Sequence, residues 1–404
     1  MEKIKAILKA ILKGIGKLIK RILQQIWLII DSIKVALIAV AVALLIVFVI
    51  SLIAHNTLRF GEISVKYTGE YKNLYPVKDK MMNVYVTGEG EESILIMSGF
   101  SVASPTLEYK ALAEQLAKDY RVIIVEYFGT GFSLSTKDER TNENIVKEVR
   151  EALNSAEIYG PYILMPFDIS NIYAIYYAEN YPEEVAGIIS VDGMYPKAIT
   201  KTSFKDDYLP NLISNVRFYS IASFTGIFRW ETYLSPEKFN IDKLENNDSY
   251  GENEVKLYRR LVANKFLTKE MRGQISMLES NMEDLQDYKY PDNLPVLQIL
   301  TNDSIKEYND RNEDMQKYAK NIVSNSSIQK ITILDEDIEK YLFEKPSTIL
   351  NAVRYDYITE TIQDNTFDKP NIDGNVSNST TVMIDTDDES SDQRSDYSNI
   401  TIGI

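Results

Sequence analysis

The sequence predicts an α/β protein: a mostly parallel twisted sheet with helices on both faces, a helical cap, and one N-terminal transmembrane helix. Three observations predict it. Short, continuous apolar runs alternate with helical patterns from about Ile63 onward. One stretch of about a hundred residues, Tyr195 to Asn293, interrupts that alternation without a strand of its own. Near the N-terminus, Val35 to Ala54 reads VALIAVAVALLIVFVISLIA, without a charge.

At 1.5 Å rise per residue those twenty residues span a hydrocarbon core about 30 Å thick. The segment before them, residues 1–30, holds seven basic side chains and one acidic one, with Ile4, Ile7, Leu8, Ile11, Leu12, Ile15, Leu18, Ile19 and Ile22 along one face. That pattern fits a basic helix lying on an anionic leaflet. The one-sided cluster of Lys and Arg predicts a cytoplasmic N-terminus, a single-pass anchor over 31–55, and a main domain outside the cytoplasm, at the cell membrane.

In the remainder, SILIM (Ser93 to Met97), VIIVE (Val122 to Glu126), YILM (Tyr162 to Met165), GIISV (Gly187 to Val191), PVLQIL (Pro295 to Leu300) and ITIL (Ile331 to Leu334) are short, mainly apolar runs bounded by turns. Such runs mark strands buried on both faces. Between them Ile145, Val149, Leu153 and Ala156 recur at helical spacing. Strand and helix in alternation imply right-handed crossovers and a parallel sheet. ISVKYTG and MNVYVTG read as an antiparallel lead-in. The domain is expected over 60–364, with a helical cap at about 195–293. After it, 365–404 is rich in Asn, Ser, Thr and Asp, and predicts a disordered acidic tail.

Charge and residue counts restrict the chemistry. A formal net charge of −15 argues against nucleic acid as a partner, because phosphate binding needs a basic patch. There is no cysteine, so disulfides and thiolate chemistry are excluded. The only histidine is His55, at the end of the apolar run. One histidine and scattered carboxylates form no metal motif, and no cofactor is expected.

Ligands of an open parallel sheet bind beyond the carboxyl ends of its strands. Three such ends stand out: SGFSVASP (Ser98 to Pro105), EYFGTGFS (Glu126 to Ser133), and MPFDISNIYAIYYAENYPEEVAGIISVDG (Met165 to Gly193), a strand, turn, helix and strand in succession. On these motifs the sequence, from about Met82 to Tyr357, resembles the α/β-hydrolases. In particular it resembles a membrane-anchored bacterial group whose nucleophile turn reads P-H-S-x-S-G rather than G-x-S-x-G. The resemblance places Pro166, Phe167, Asp168, Ile169, Ser170 and Asn171 on that turn, with Asp168 where the family has its serine. It implies oxyanion-hole amides at Phe100 and Ile169, a triad acid at Asp192 or Asp303, and the histidine position close to Lys340.

Aspartate can serve as a nucleophile on this fold, as in haloalkane dehalogenases and epoxide hydrolases, but hydrolysing the resulting ester needs a histidine to activate water. His55 caps the membrane helix and cannot reach. A lysine near its ordinary pKa of about 10.4 is protonated at neutral pH and accepts no proton. Ser101, Ser133 or Ser170 with Lys340 as base would be a Ser–Lys variant, and needs that lysine depressed by burial. Tyr173, Tyr176 and Tyr177 are expected to pack in the core. Either an ion pair between Asp168 and Lys340 neutralises the enclosed carboxylate, or Lys340 points into solvent and backbone amides at the start of the next helix satisfy Asp168. The functional expectation is a catalytically degenerate homologue with a binding or accessory role and an unknown small-molecule or protein partner. Two others are kept: an active hydrolase of esters or similar small molecules with a non-standard site, and a structural component whose pocket has closed.

Overall fold

A computed structural model of the chain describes residues 1–62, 69–357 and 380–381. Met1–Leu58 and Arg59–Ile404 form two compact units. The lead-in residues 63–68 lie outside the described residues, as does the predicted acidic tail apart from Thr380 and Thr381.

The first unit is formed by helix α1 (Glu2–Glu62), whose last turn passes the boundary at Leu58 and which runs without a break through both the basic segment and the apolar one. It is long and apolar enough to cross a membrane. Its Leu37, Ile38 and Leu44 are all exposed.

The second unit begins with β1 (Leu74–Val77) and β2 (Lys80–Thr87), paired antiparallel from Leu74↔Asn83 to Val77↔Lys80. MNVYVTG therefore forms the antiparallel lead-in, and β1 is a further strand that periodicity did not mark. There follow β3 (Ser93–Met97), α2 (Pro105–Glu108), α3 (Lys110–Leu116), β4 (Arg121–Glu126) and α4 (Asn142–Ser155). After them come β5 (Tyr162–Pro166), α5 (Ser170–Asn180) and β6 (Val185–Val191).

The insertion after β6 is helical, as expected. A π-helical turn over Ser203–Tyr208 leads into α6 (Leu209–Phe224), α7 (Ile227–Leu234), α8 (Ile241–Glu245), α9 (Glu252–Lys265) and α10 (Lys269–Glu283). The chain returns through β7 (Val296–Thr301), α11 (Asn302–Asp310), α12 (Met315–Ile322), β8 (Gln329–Leu334), α13 (Ile338–Phe343) and α14 (Pro346–Asp356). Thr380 and Thr381 add β9, antiparallel to β8, inside the stretch expected to lack structure. The β8 edge offers unpaired backbone groups, which two β-branched residues can take up.

The strand order is β1-β2-β4-β3-β5-β6-β7-β8-β9. From β4 through β8 every pairing is parallel. Every residue of β3, β5 and β7 is buried, which is why their sequences show no polar alternation. Helices α3, α13 and α14 pack together, and α4 packs with α5, forming two separate layers.

The cap has its own aromatic core. Phe228, Phe239 and Phe266 meet edge to face, with ring centroids 4.9–6.1 Å apart. It is tied to the rest of the domain by polar contacts as well. Asn142 of α4 donates two hydrogen bonds to Asn281, from its backbone amide to Oδ1 at 3.0 Å and from its side chain to the carbonyl at 2.8 Å, and Glu270 accepts from the Thr136 amide at 2.9 Å.

Candidate active site

The turn after β5 is the centre of the site. Phe167 bridges to Val191, the last residue of β6, and the Asp168 amide donates to the Val191 carbonyl at 3.2 Å. Asp168 has φ +49°, the left-handed region that a non-glycine residue enters only when its surroundings hold it there. The Asn171 and Met194 amides both donate to the Asp168 carbonyl at 3.0 Å, and α5 starts at Ser170. The result is a sharp strand-to-helix elbow that pushes one side chain out over the end of the sheet.

Phe167 and Asn171, bulky where the family has other residues, are accommodated. The Phe167 ring stacks on Tyr109 at 4.7 Å, and the Asn171 side-chain Nδ2 donates to the Met194 carbonyl at 3.0 Å. Gly99 lies close enough that a Cβ there would stand 3.3 Å from the Asp168 Cβ, so the β3 loop can approach the elbow. That approach delivers the Phe100 amide, which donates to Asp168 Oδ2 at 3.2 Å. The Ile169 amide also hydrogen-bonds the carboxylate. The two amides assigned to an oxyanion hole thus hold the side chain of Asp168 itself. Burial raises the Asp168 carboxyl above its ordinary range, and these two amides pull it part of the way back.

Of the two acid positions, Asp192 is enclosed and hydrogen-bonded and Asp303 is exposed. Asp192 closes β6 at φ +46° and accepts from the Thr301 amide at 2.7 Å and the Thr301 hydroxyl at 2.8 Å. Burial lifts its carboxyl to about 6, against the pull of Thr301 and Ser304, and the charge of Asp168 adds to the rise. Asp303 stands exposed on the first turn of α11.

Lys340 does not pair with Asp168; of the two arrangements expected, the ion pair is not formed. Its ammonium lies 2.7 Å from Glu336, and Asp168 has no ion-pair partner among the described residues. The reason is local: Asp337 caps α13 through the Lys340 amide at 2.7 Å, and the i,i+4 spacing turns the side chain back to Glu336. That contact raises the Lys340 pKa, so the lysine stays protonated and is no base for a nearby hydroxyl.

The serines are structural. Ser170 is buried, donates to the Ser98 carbonyl and lies 3.0 Å from the Tyr127 hydroxyl. Ser133 donates to the Glu126 carbonyl and accepts from the Asn83 amide at 2.8 Å. Ser101, at φ +63°, shapes the loop beside Phe100. In EYFGTGFS, Glu126 turns inward and accepts from the Phe132 amide at 2.6 Å. Tyr173 and Tyr177 are buried, and Tyr176 packs against the core.

One cluster near the elbow was not legible in the sequence. The Arg311 guanidinium, 8% exposed, sits over the rings of Tyr208 from the cap and Tyr308 from α11, 4.2 and 4.4 Å from their centroids. It lowers the Asp168 carboxyl slightly, and the charge of Asp168 raises both phenols. No periodicity links residues a hundred positions apart. Two cavities of about 230 and 480 Å³ adjoin Lys197, Tyr318 and Asn321, and neither has Asp168 or Asp192 on its wall. Among the described residues no group of three or more His, Asp or Glu side chains is placed to hold a metal ion.

Strand order, the elbow at the end of β5, the paired amides and the acid at the end of β6 together define the α/β-hydrolase fold. No family model matches the chain. It is 28% identical over 222 residues to the uncharacterized protein YbdG of Bacillus subtilis (strain 168), a match covering 55% of this chain and 66% of that protein, just under two thirds of its length. Among solved structures it is similar to the epoxide hydrolase CorEH, with a TM-score of 0.50 and 15% identity, covering 70% of this chain and 97% of that one. The epoxide hydrolase VrEH1 from Vigna radiata is similar at a TM-score of 0.52 and 16% identity, covering 70% and 96%. At these identities the likeness is one of fold.

Proposed function

We propose that this chain is a bacterial, membrane-anchored, extracytoplasmic protein of α/β-hydrolase fold that has lost turnover and serves as a binding or accessory protein. One observation carries the loss of turnover: the amides of Phe100 and Ile169 are occupied by the Asp168 carboxylate, and the unit that contains it has no histidine. A catalytic cycle through an acyl or alkyl ester needs a group that takes a proton from water. Lys340 is engaged elsewhere and protonated. The anchor rests on α1 and the orientation on the Lys and Arg before its apolar run.

The purified full-length chain is expected to show no multiple turnover on a panel of activated esters and epoxides, and sustained turnover would refute the reading. Asp168→Ser is expected to remain inactive on esters, because no histidine activates the new hydroxyl; measurable esterase activity in that single variant would remove the degenerate-site reading. Protease added to intact spheroplasts should degrade the domain, and protection until lysis would reverse the orientation.

A second reading has one specific support. A carboxylate held by two amides at the elbow is also the posture of an aspartate nucleophile, and the two solved relatives above are named as epoxide hydrolases. Under that reading an epoxide would alkylate Asp168, and a site without histidine would release the ester slowly or not at all. Intact-mass measurement distinguishes the two, by a single stoichiometric adduct that Asp168→Asn abolishes.

A further inference from the structure

Five arginines of the domain, Arg140, Arg150, Arg259, Arg311 and Arg354, face a carboxylate at 2.5–2.7 Å. Arg217 and Arg272 depart from that pattern. They line one cavity of about 220 Å³ in the cap, together with Ile213, Val216, Ile275 and Ser276. Arg272 Nη1 donates to Ser220 Oγ at 3.1 Å, and Arg217 makes no side-chain hydrogen bond or ion pair among the described residues.

The helices that carry them explain the convergence. α6 and α10 pack against each other. On α6, Ile213, Val216, Arg217 and Ser220 fall within an arc of about 100°, and Arg272, Ile275 and Ser276 do the same on α10. Ser220 stands one turn beyond Arg217, about 5–6 Å away between Cβ atoms. The hydroxyl that holds Arg272 therefore brings its guanidinium to the side of the seam where Arg217 lies.

No carboxylate of either helix answers this charge. Arg217 is the only charged residue of α6. The carboxylates of α10 are engaged elsewhere: Glu270 accepts from the Thr136 amide at 2.9 Å, and Glu279 and Glu283 lie 2.9 and 2.8 Å from the Lys205 ammonium. In a chain of net charge −15, two guanidiniums on one cavity without a carboxylate make a site for an anion from outside.

The chemistry narrows the anion. A carboxylate has two oxygens and is satisfied by one guanidinium fork, whereas a phosphate has oxygens enough for two forks arriving from different helices. Ile213, Val216 and Ile275 make the rest of the wall apolar, a surface for the carbon chain of a phosphate ester. We propose that the α6–α10 seam of the cap binds a phosphate group, free or on a lipid headgroup, through Arg217 and Arg272. Neither Asp168 nor Asp192 lines this cavity, so the site does not depend on whether the elbow turns over. Only the headgroup source rests on the anchoring reading above.

The full-length chain in dodecyl maltoside, a detergent without phosphate, supplies the reference state. Inorganic phosphate titrated at constant ionic strength, followed by calorimetry, is expected to saturate and to raise the melting temperature. Arg217→Gln should weaken that binding by about tenfold or more, the loss of a hydrogen bond to a charged group. In phosphate-free buffer it should melt as the wild type does, since Arg217 holds no other side chain. Arg272→Gln should weaken binding likewise; if it fails to fold once Ser220 loses its donor, Arg217→Gln decides alone. A second arm adds phosphatidylglycerol to the micelles and reads the same melting temperature. The basic side chains of α1 meet anionic lipid in every variant, so only the part of the rise lost in Arg217→Gln counts. A response to inorganic phosphate that this variant loses assigns the site to free phosphate, and a response to lipid alone that it loses assigns a headgroup; both support the proposal. No response in either arm, or one equal in the wild type and Arg217→Gln, overturns it.

Discussion

Replacing Glu148 with alanine is expected to lower the unfolding free energy by about 3–5 kcal/mol, because it leaves a buried guanidinium without its counter-charge. Arg140 and Glu148 are 3% and 0% exposed at the side chain and form a two-pronged pair, with Nη1 to Oε1 at 3.0 Å and Nη2 to Oε2 at 2.7 Å. Burial raises the Glu148 carboxyl above its ordinary range despite the facing arginine, so desolvation outweighs the attraction. The pair is therefore not itself a large source of stability, yet breaking it is costly. The damage would also reach the cap, for the Arg140 carbonyl accepts from the Asn281 side chain at 3.0 Å and its Cγ lies where a Cβ on Gly273 of α10 would sit, 2.8 Å away. Urea unfolding of the wild type, Glu148→Ala, and the double variant Arg140→Met with Glu148→Leu checks this. The double variant should lie closer to wild type than the single one. A loss below about 1 kcal/mol in Glu148→Ala would mean that the pair behaves like a solvated surface pair.

The second large effect is a pH dependence at Asp192. Its carboxyl rises from 3.8 to about 6, chiefly by burial, with Asp168 adding to the rise and Thr301 and Ser304 opposing it. A raised acid is favoured in its protonated form by the fold. Its stabilising contribution is complete below about pH 4 and is lost as pH climbs to about 6; the difference from 3.8 to about 6 corresponds to roughly 3 kcal/mol. Asn mimics the protonated acid and can keep both contacts with Thr301. Asp192→Asn should therefore gain stability relative to wild type as pH rises through this window and match it at the acid end. Denaturant midpoints at several pH values measure the difference. Parallel curves for the two proteins would show that Asp192 is not enclosed as the geometry has it.

How much was legible beforehand depends on the range of the interaction concerned. The six inner strands could be read because each is buried on both faces and its apolar run is continuous, whereas β1, LYPV, is a short edge strand with a mixed pattern. The helical insertion could be read from the absence of such runs between Val191 and Pro295. The elbow was placed at Asp168 by resemblance, and the structure puts the turn there. The Lys340 expectation went astray because the strand after which it falls does not dictate where a long side chain points. Its own helix cap and Glu336, both within four residues, decide that. Asp192 and Asp303 read alike as acidic residues at strand ends; that only Asp192 is held by the Thr301 hydroxyl depends on the packing of β6 against β7.

By itself, then, the sequence determined what is local or a matter of counting: a helix apolar over twenty residues, strands of period-free hydrophobicity, and a domain that holds no histidine and no cysteine. Only the tertiary structure decided what those residues meet. The Phe100 amide reaches Asp168 across 68 positions, and Tyr208 of the cap and Tyr308 of α11 close over Arg311. The physical reason is that hydrophobic period records whether a side chain is buried, whereas a hydrogen bond or a stacked ring depends on distances set by how separate elements pack.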